Sequence, residues 1–586
     1  MNDDDSSRTR VVIALVAPFV VAICAFFIGI NWGLPSRADD QFLFATRPAW
    51  TGDEILALTG GWGAGNRASD HDANPLAGRD TAIVVNTTDA QRAEIVQRYR
   101  LYSHQPDEML TLRALGQMKP GQLQLDPRMY QYGGLWVYPI GALLKIGEEV
   151  GLLTVRGDVA YYLDHPEQFG RFYVVMRAYS ALWGLAGVAA VMLILRKMSG
   201  SLLTVSLGGI AFACMPVVVN MAHEGKPHLA GAVLLLWTSL AAAAYVRNGS
   251  PRRAILAGAL WGAATGMVLL SLPGIVILFL MIILRPQSLA RRAAHLVLAL
   301  GAGALVYGVS NPYVVINALQ GSTVLASNMT AHGNFYHVGQ VVRGLTNGMD
   351  LLAEGASLAV VVIGGIATVF GVQRMARTPG AAVDYPRKTM AILLTAPALL
   401  VLVQFVLLGA GKPGEYGRFA ILPCVTLLIA ALGGLRNWIK LPYTRRIASI
   451  LLVVWVMVAG GLYVANFARD SGRNDTRTEA ARTLAMWADR GRTRLAISDE
   501  PAPYSMPPVD LFRWVLLLQP KEPKVPPAVA DFDAIVKVGD RLGVPPKGFV
   551  AWSPNAADQL FPSRISWANK PIDLFVPSNV SERETN

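Results

Sequence analysis

Charged side chains are scarce in this chain. Asp, Glu, Lys and Arg make up 16% of its 586 residues, where a soluble globular protein carries about a quarter. An ordinary soluble enzyme of this length is excluded. The 53% of hydrophobic residues and a mean hydropathy of +0.38 point instead to a protein with many membrane spans. Cysteine is scarcer still: Cys24, Cys214 and Cys424 each lie inside an apolar stretch, with no disulfide framework or metal-ligand spacing. They read as small hydrophobes. There is no Gly-rich phosphate loop after a strand, no Ser-His-Asp hydrolase pattern, no internal repeat and no low-complexity tract. Chemistry outside the cell must then draw its energy from the substrate or from a gradient. The net charge of +12 has no basic stripe with interleaved aromatics behind it, which argues against nucleic acid as a partner.

What is present is a series of apolar runs. A spanning helix needs about 20 apolar residues, fewer inside a bundle. About eleven segments qualify: 11–34, 172–195, 202–219, 229–246, 254–270, 272–284, 293–309, 356–372, 390–410, 419–435 and 447–467. The first is too long, and too poorly followed by small residues, for a cleaved signal peptide. The break at "SLPG" (Ser271 to Gly274) predicts a tight turn. Alternate connections are basic: "RK" at Arg196, "RNGSPRR" from Arg247, "RPQSLARR" from Arg285, "RMARTPGAAVDYPRK" from Arg374 and "RNWIKLPYTRR" from Arg436. Lys and Arg resist translocation, so these connections and the N-terminus are expected in the cytoplasm. The first large loop (35–171) and the tail are then expected outside. "YGGLWVYPIGALLKIG" (Tyr132 to Gly147) breaks the alternation if counted as a span. Short, aromatic and Gly/Pro-interrupted, it reads as an interfacial or re-entrant helix.

The other polar motifs gather on the expected outer face. In "SHQPDEML", Pro106 followed by Asp107 and Glu108 is a helix start with acidic residues in the first turn. It is equally a place for a general base acting on an acceptor hydroxyl or amine. Neighbouring helical residues point about 100° apart, so one carboxylate would be base, Asp107 by preference, and the other an orienter. "HEGKPH" sets His223, Glu224, Lys226 and His228 between two spans. Either the loop is charged because it is wet, or these side chains contact a phosphate or a sugar. The His-x-Glu spacing of zinc signatures is missing, so no metal site is assigned. "GKPGEYGRFAILP" puts Lys412 and Arg418 ahead of a span, as headgroup anchors or as donors to a phosphodiester, for which the guanidinium fork is suited. "SNPYVV" from Ser310 reads as a helix stop, and His332, Tyr336 and His337 in "HGNFYH" fit sugar stacking or an aromatic belt. "DPRMYQYGGLWVYP" reads as interfacial anchoring.

The tail has its own organisation. A polar linker, "RDSGRND", is followed by "TRTEAARTLAMWADRG". This segment has the capping-box spacing Thr476/Glu479 and stops at Gly491. Strand-like runs follow at "RLAIS", "AIVKV" and "IDLFV". The expected division is therefore a transmembrane domain, 1–467, and a small extracytoplasmic α/β domain, 468–586.

This layout resembles the GT-C membrane glycosyltransferases, in particular the protein O-mannosyltransferase and lipid A aminoarabinose transferase branch: an outer loop with an acidic "PDE" pair, an aromatic Gly/Pro-broken segment, many spans, a late "YGRFAILP" and an outer soluble domain. The likeness covers residues 11–467 in layout and rests on short motifs. It implies a mainly α, polytopic helical bundle of GT-C type. It also implies a base at Asp107 with Glu108 beside it, and a cation at Arg418 for the carrier phosphate, with Lys412 and Lys226 as further phosphate contacts. The family's "PPLYY"-like segment is matched only loosely, because Gly133 and Gly134 replace the prolines. The implied activity is inverting transfer of a sugar from a polyprenyl-phosphate-linked donor to a glycan, protein or lipid acceptor outside a bacterial inner membrane. Members of the fold differ in needing a divalent cation, so Mg or Mn stays open as a cofactor. A transporter or flippase of lipid-linked sugars and a non-enzymatic envelope scaffold remain as rivals.

Overall fold

The computed structural model describes residues 3–61, 82–333, 336–377, 386–409, 415–473, 475–520, 532–539, 548–552 and 564–578. Each of the eleven apolar segments lies largely in helix. Among the described residues, seven helices are long and apolar enough to cross a membrane, and nine if two bent pairs are each one span. The number falls short of eleven for a plain reason. The helix Pro251–Met267 has 17 residues, and the short apolar helix after it begins in the 3-10 turn Leu269–Ile275 that contains Pro273. That turn is where "SLPG" predicted one. The two bent pairs are Leu202–Ala213 with Pro216–Ala222, at 57°, and Val338–Ala356 with Leu358–Gly371, at 109°. Proline explains the first: Pro216 stands at the first position of its helix, where its missing N–H costs nothing.

The contacts divide the chain into two discontinuous compact units. The first is residues 1–28, 110–143 and 176–464, and the second is 29–109, 144–175 and 465–586. This partition differs from a single cut at residue 467, because part of the 35–171 loop packs with the tail.

The first unit holds the apolar bundle. Within it the helices Pro251–Met267 and Leu289–Ser310 pack closely, and glycine is the reason. A Cβ on Gly258 would stand 1.9 Å from the Ala299 carbonyl oxygen, and one on Gly262 would stand 2.3 Å from that of Gly303. Gly258 and Gly262 form a GxxxG spacing, which lets two backbones approach closely in a bilayer. Close approach also explains the Gly-Gly of "YGGLWVYP". Cβ atoms there would lie 1.9 Å from the Gly266 oxygen and 1.8 Å from the Ser310 oxygen. The amides of Gly133 and Gly134 donate instead to the Met267 carbonyl (3.0 Å) and to Asn311 Oδ1 (2.7 Å). The segment from Gly134 to Glu149 is one helix despite Pro139. "SNPY" is the stop it was read to be: a helix ends at Ser310 and another starts at Pro312.

The second unit holds a six-stranded sheet: β1 (Ile83–Val84), β2 (Arg494–Ile497), β3 (Val515–Leu518), β4 (Ala534–Val538), β5 (Phe549–Trp552) and β6 (Ile572–Pro577), in the order β1-β3-β2-β4-β6-β5. β2 is parallel to β3 and β4, and the remaining pairs are antiparallel. The runs "RLAIS", "AIVKV" and "IDLFV" are β2, β4 and β6. Ala496, Leu517, Phe532, Ile535, Phe549 and Phe575 form a core on the sheet. The tail helix is Thr476–Asp489, but its cap is Asp475, whose carboxylate accepts from the Thr478 amide at 2.8 Å. The expected Thr476/Glu479 box is therefore displaced by one residue. An ionised acceptor beside the helix N-terminus also meets the positive end of the helix dipole, which a hydroxyl does not exploit.

Candidate functional site

Between the bent span ending at Ala222 and the helix starting at His228, the turn "HEGKP" is buried rather than wet. Glu224 and Lys226 are 1% and 0% exposed. Lys226 Nζ lies 3.3 Å from Glu224 Oε2, and Asn220 Nδ2 donates to Glu224 Oε1 at 3.1 Å. Ser180 Oγ donates to the Lys226 carbonyl at 3.0 Å. Removing two charges from water costs several kcal/mol per ion, so the pair offsets a penalty that an apolar turn would not incur. His223 sits at the other edge of the turn. Its Nδ1 is 2.9 Å from the Val219 carbonyl and its Nε2 is 2.9 Å from that of Ile28. Both ring nitrogens thus face backbone carbonyls, to one of which a neutral imidazole donates its single N–H, and the imidazole acts as a support of the turn.

An aromatic chain leads from this turn to the late span. The His228 ring stands edge-on to Tyr132 (5.8 Å) and to Phe419 (5.1 Å), and the Arg418 guanidinium carbon lies 5.0 Å from the Phe419 ring centre. His228, Ser271, Gln404, Phe405, Arg418 and Phe419 line a recess of about 30 Å³, room for about one water. Gln404 Nε2 donates to Tyr336 Oη at 3.0 Å, which ties Tyr336 to the recess. His337 donates its amide to the Leu407 carbonyl (3.0 Å) and is half-buried. Lys412 and the His332 side chain lie outside the described residues.

The acidic pair belongs to the second unit. Glu108 begins the helix Glu108–Gln117, is fully buried, and accepts from Ser103 Oγ at 2.6 Å. The Asp107 amide donates to Gln105 Oε1 at 3.0 Å, and Asp107 is only half-buried. The two carboxylates thus have different surroundings. One is bound into the turn, and the other is more open. Among the described residues, no three His, Cys, Asp or Glu side chains converge as a set that could hold a metal ion.

The sequence reading missed two groups. Arg177 is 0% exposed within the helix Pro166–Ser199. Glu354 accepts a hydrogen bond from Tyr463 at the end of the bent pair's first helix. The available signal was an ionisable residue inside or beside an apolar run, which marks a functional position by default.

No family model matches the chain, and no curated protein sequence matches it. Among solved structures, it is similar to ArnT from Cupriavidus metallidurans bound to undecaprenyl phosphate. That match has 14% identity and a TM-score of 0.41, and covers 82% of this chain and 96% of that one. The same ArnT in the apo state gives 15% identity and a TM-score of 0.36, over 72% of this chain and 83% of that one. The Archaeoglobus fulgidus oligosaccharyltransferase, in complex with zinc and sulfate, gives 12% identity and a TM-score of 0.36, over 76% and 64%. Superpositions this loose transfer no residue roles.

Proposed function

We propose that this chain is a membrane glycosyltransferase that moves a sugar from a polyprenyl-phosphate-linked donor to an acceptor on the extracytoplasmic face of a bacterial inner membrane. The observation that carries this reading is the buried Glu224–Lys226 turn, followed by His228, whose ring meets Phe419 with the Arg418 guanidinium over it, at one end of apolar helices. A buried and a half-buried cation beside apolar helices suit an amphiphile with a phosphate at its head and a prenyl chain behind it. A sugar so carried is already activated, which fits a chain with no nucleotide-binding motif.

In this reading the acceptor hydroxyl or amine loses its proton to Asp107 and attacks the anomeric carbon from the face opposite the phosphate. The bond from that carbon to the phosphate oxygen breaks, the configuration inverts, and polyprenyl phosphate leaves with the electron pair. Arg418, with Lys226 and Lys412, stabilises the charge that develops on the phosphate. Glu108 orients the loop through Ser103. His228 and Tyr336 are the candidate sugar contacts, His228 at the recess and Tyr336 through Gln404, and Glu224 holds Lys226 in place through their ion pair. No convergent ligand set is described for Mg or Mn, so no step is assigned to a divalent cation.

The test is mass spectrometry of lipid extracts from cells carrying the wild type, Asp107→Asn or Arg418→Ala at equal protein levels. Transfer is expected to fall by about 10²-fold or more in each variant, with one polyprenyl-phosphate sugar accumulating. The rival reading, a transporter of lipid-linked sugars, draws on the two broken spans. An unchanged lipid pool in Asp107→Asn, beside a perturbed pool on deletion, favours the transporter.

A further inference from the structure

The opposite end of the first unit carries a cavity that the proposed reaction does not use. It encloses about 500 Å³, within the roughly 300–1,000 Å³ of ligand pockets. Its apolar walls include Leu195, Phe370 and Leu394, and its mouth carries Arg387, Lys388 and Arg436. No carboxylate lines it among the described residues. Arg436 ends the helix Ile421–Trp438 and donates to the Ser199 carbonyl, so its guanidinium is held in place by backbone. Trp438, half-exposed beside the mouth, stands edge-on to Phe370. Tryptophan favours the depth at which headgroups lie. Deeper in the wall, the Thr426 hydroxyl is buried and has no hydrogen-bond partner. The cavity is thus divided in the manner of a lipid, with cations and an interfacial aromatic at the mouth and hydrocarbon-like walls within.

We infer that this cavity is a specific site for an anionic phospholipid of the leaflet at the basic end of the bundle. The phosphate would lie on Arg387, Lys388 and Arg436, with an acyl chain along the interior. Basic pockets between membrane helices on the cytoplasmic side select anionic headgroups, and the Lys/Arg distribution assigns this end to the cytoplasm. The inference is independent of the transfer reaction, because it concerns other residues at the other end of the helices.

Two variants separate headgroup from chain. Arg387→Gln with Lys388→Gln removes charge at the mouth. Gly433→Leu fills the interior: Gly433 lines the cavity, and a Cβ there meets nothing within 4 Å, so the helix has room for the larger residue. The full chain is placed in phosphatidylcholine nanodiscs doped with phosphatidylglycerol, and retained lipid is read by native mass spectrometry. Wild type is expected to retain phosphatidylglycerol over phosphatidylcholine, and the double variant to lose about tenfold of that preference. Gly433→Leu should lower occupancy without changing the melting temperature. Excess inorganic phosphate should not displace the lipid. Equal retention of both lipids, an unaltered preference in the double variant, or an unaltered occupancy in Gly433→Leu overturns the inference. So does displacement by free phosphate, which would make the mouth an ion site only.

Discussion

Glu224 and Lys226 set the clearest test at the scale of single residues. Their carboxylate and ammonium are both buried and 3.3 Å apart. Glu224→Gln takes the Glu224 charge from a buried ammonium, and breaking such a pair costs about 3–5 kcal/mol. Replacing both, with Glu224→Gln and Lys226→Met, removes both desolvation penalties. The double variant is expected to melt close to the wild type while lacking transfer activity. A double variant as unstable as the single one would show that the turn needs the charges for folding. Asp39, in the second unit, tests titration. Burial pushes its carboxyl from 3.8 up to about 6, against the pull of Arg473 and His104 and with further push from Asp475 and Asp40. A raised carboxyl is disfavoured in its ionised form, so its penalty is absent below about pH 4, grows between pH 4 and 6, and is complete above. Asp39→Asn is therefore expected to stabilise by about 1–3 kcal/mol at pH 7.5 and by nothing at pH 4. Thermal melts at the two pH values check it, and an equal effect at both excludes the titration account.

Among the elements, helix contacts through glycine carry the sharpest expectation. Gly258→Leu would drive its side chain into the Ala299 backbone, 1.9 Å from the position of the new Cβ. Two helix backbones cannot yield as a flexible side chain can, so the pair must separate. Overpacking of this kind costs about 1–3 kcal/mol. Gly301→Leu on the facing helix, where a Cβ meets nothing within 4 Å, is the matched control. Only the first variant is expected to shorten the half-life in detergent at a fixed temperature, and equal effects would locate the contact elsewhere. Elements of this kind were unevenly legible in the sequence. Apolar runs announced the helices because hydrocarbon length fixes helix length. Breaks were legible where proline or "SLPG" marked them. The 109° bend between Ala356 and Leu358 had no such mark, and Ser357, at φ +76, carries it. The strands β2, β4 and β6 alternate or run apolar between turn signals and could be read. β1 is only two residues long, and β3 follows a buried irregular stretch. Local pattern does not reveal a pairing that is 433 residues away, as Val84 is from Leu517. In the candidate site, "HEGKPH" stood out as polar among apolar residues, whereas Arg177 and Glu354 were absorbed into the runs that contain or border them.

At the scale of the whole molecule, the division of the second unit decides what can be cut from what. The tail stretch from Asp499 to Trp514 has no strand or helix of its own, yet most of it is buried. Buried backbone must find partners, and here the 35–171 loop supplies them. Arg98 Nε donates to the Pro501 carbonyl at 2.9 Å, Tyr99 Oη to that of Met506 at 2.9 Å, and Arg92 Nε to that of Leu511 at 3.1 Å. Asn86 is central. Its Nδ2 donates to the Leu511 and Trp514 carbonyls at 3.0 and 2.7 Å, and its Oδ1 accepts from the Leu516 amide at 2.9 Å, at the edge where β1 joins β3. A fragment of residues 468–586 would expose those carbonyls and an unpaired β3 edge, so the tail is not expected to fold alone. Limited proteolysis is the measurement. The isolated fragment should be cut throughout its length under conditions where the full chain keeps its tail intact. Asn86→Ala in the full chain takes this partner from the Trp514 carbonyl and the Leu516 amide, while Leu511 keeps Arg92, and each lost bond costs about 1–3 kcal/mol. That substitution should open the same stretch to protease while the bundle remains uncut. A protease-resistant fragment would mean that the tail is an independent domain and that the loop merely rests on it.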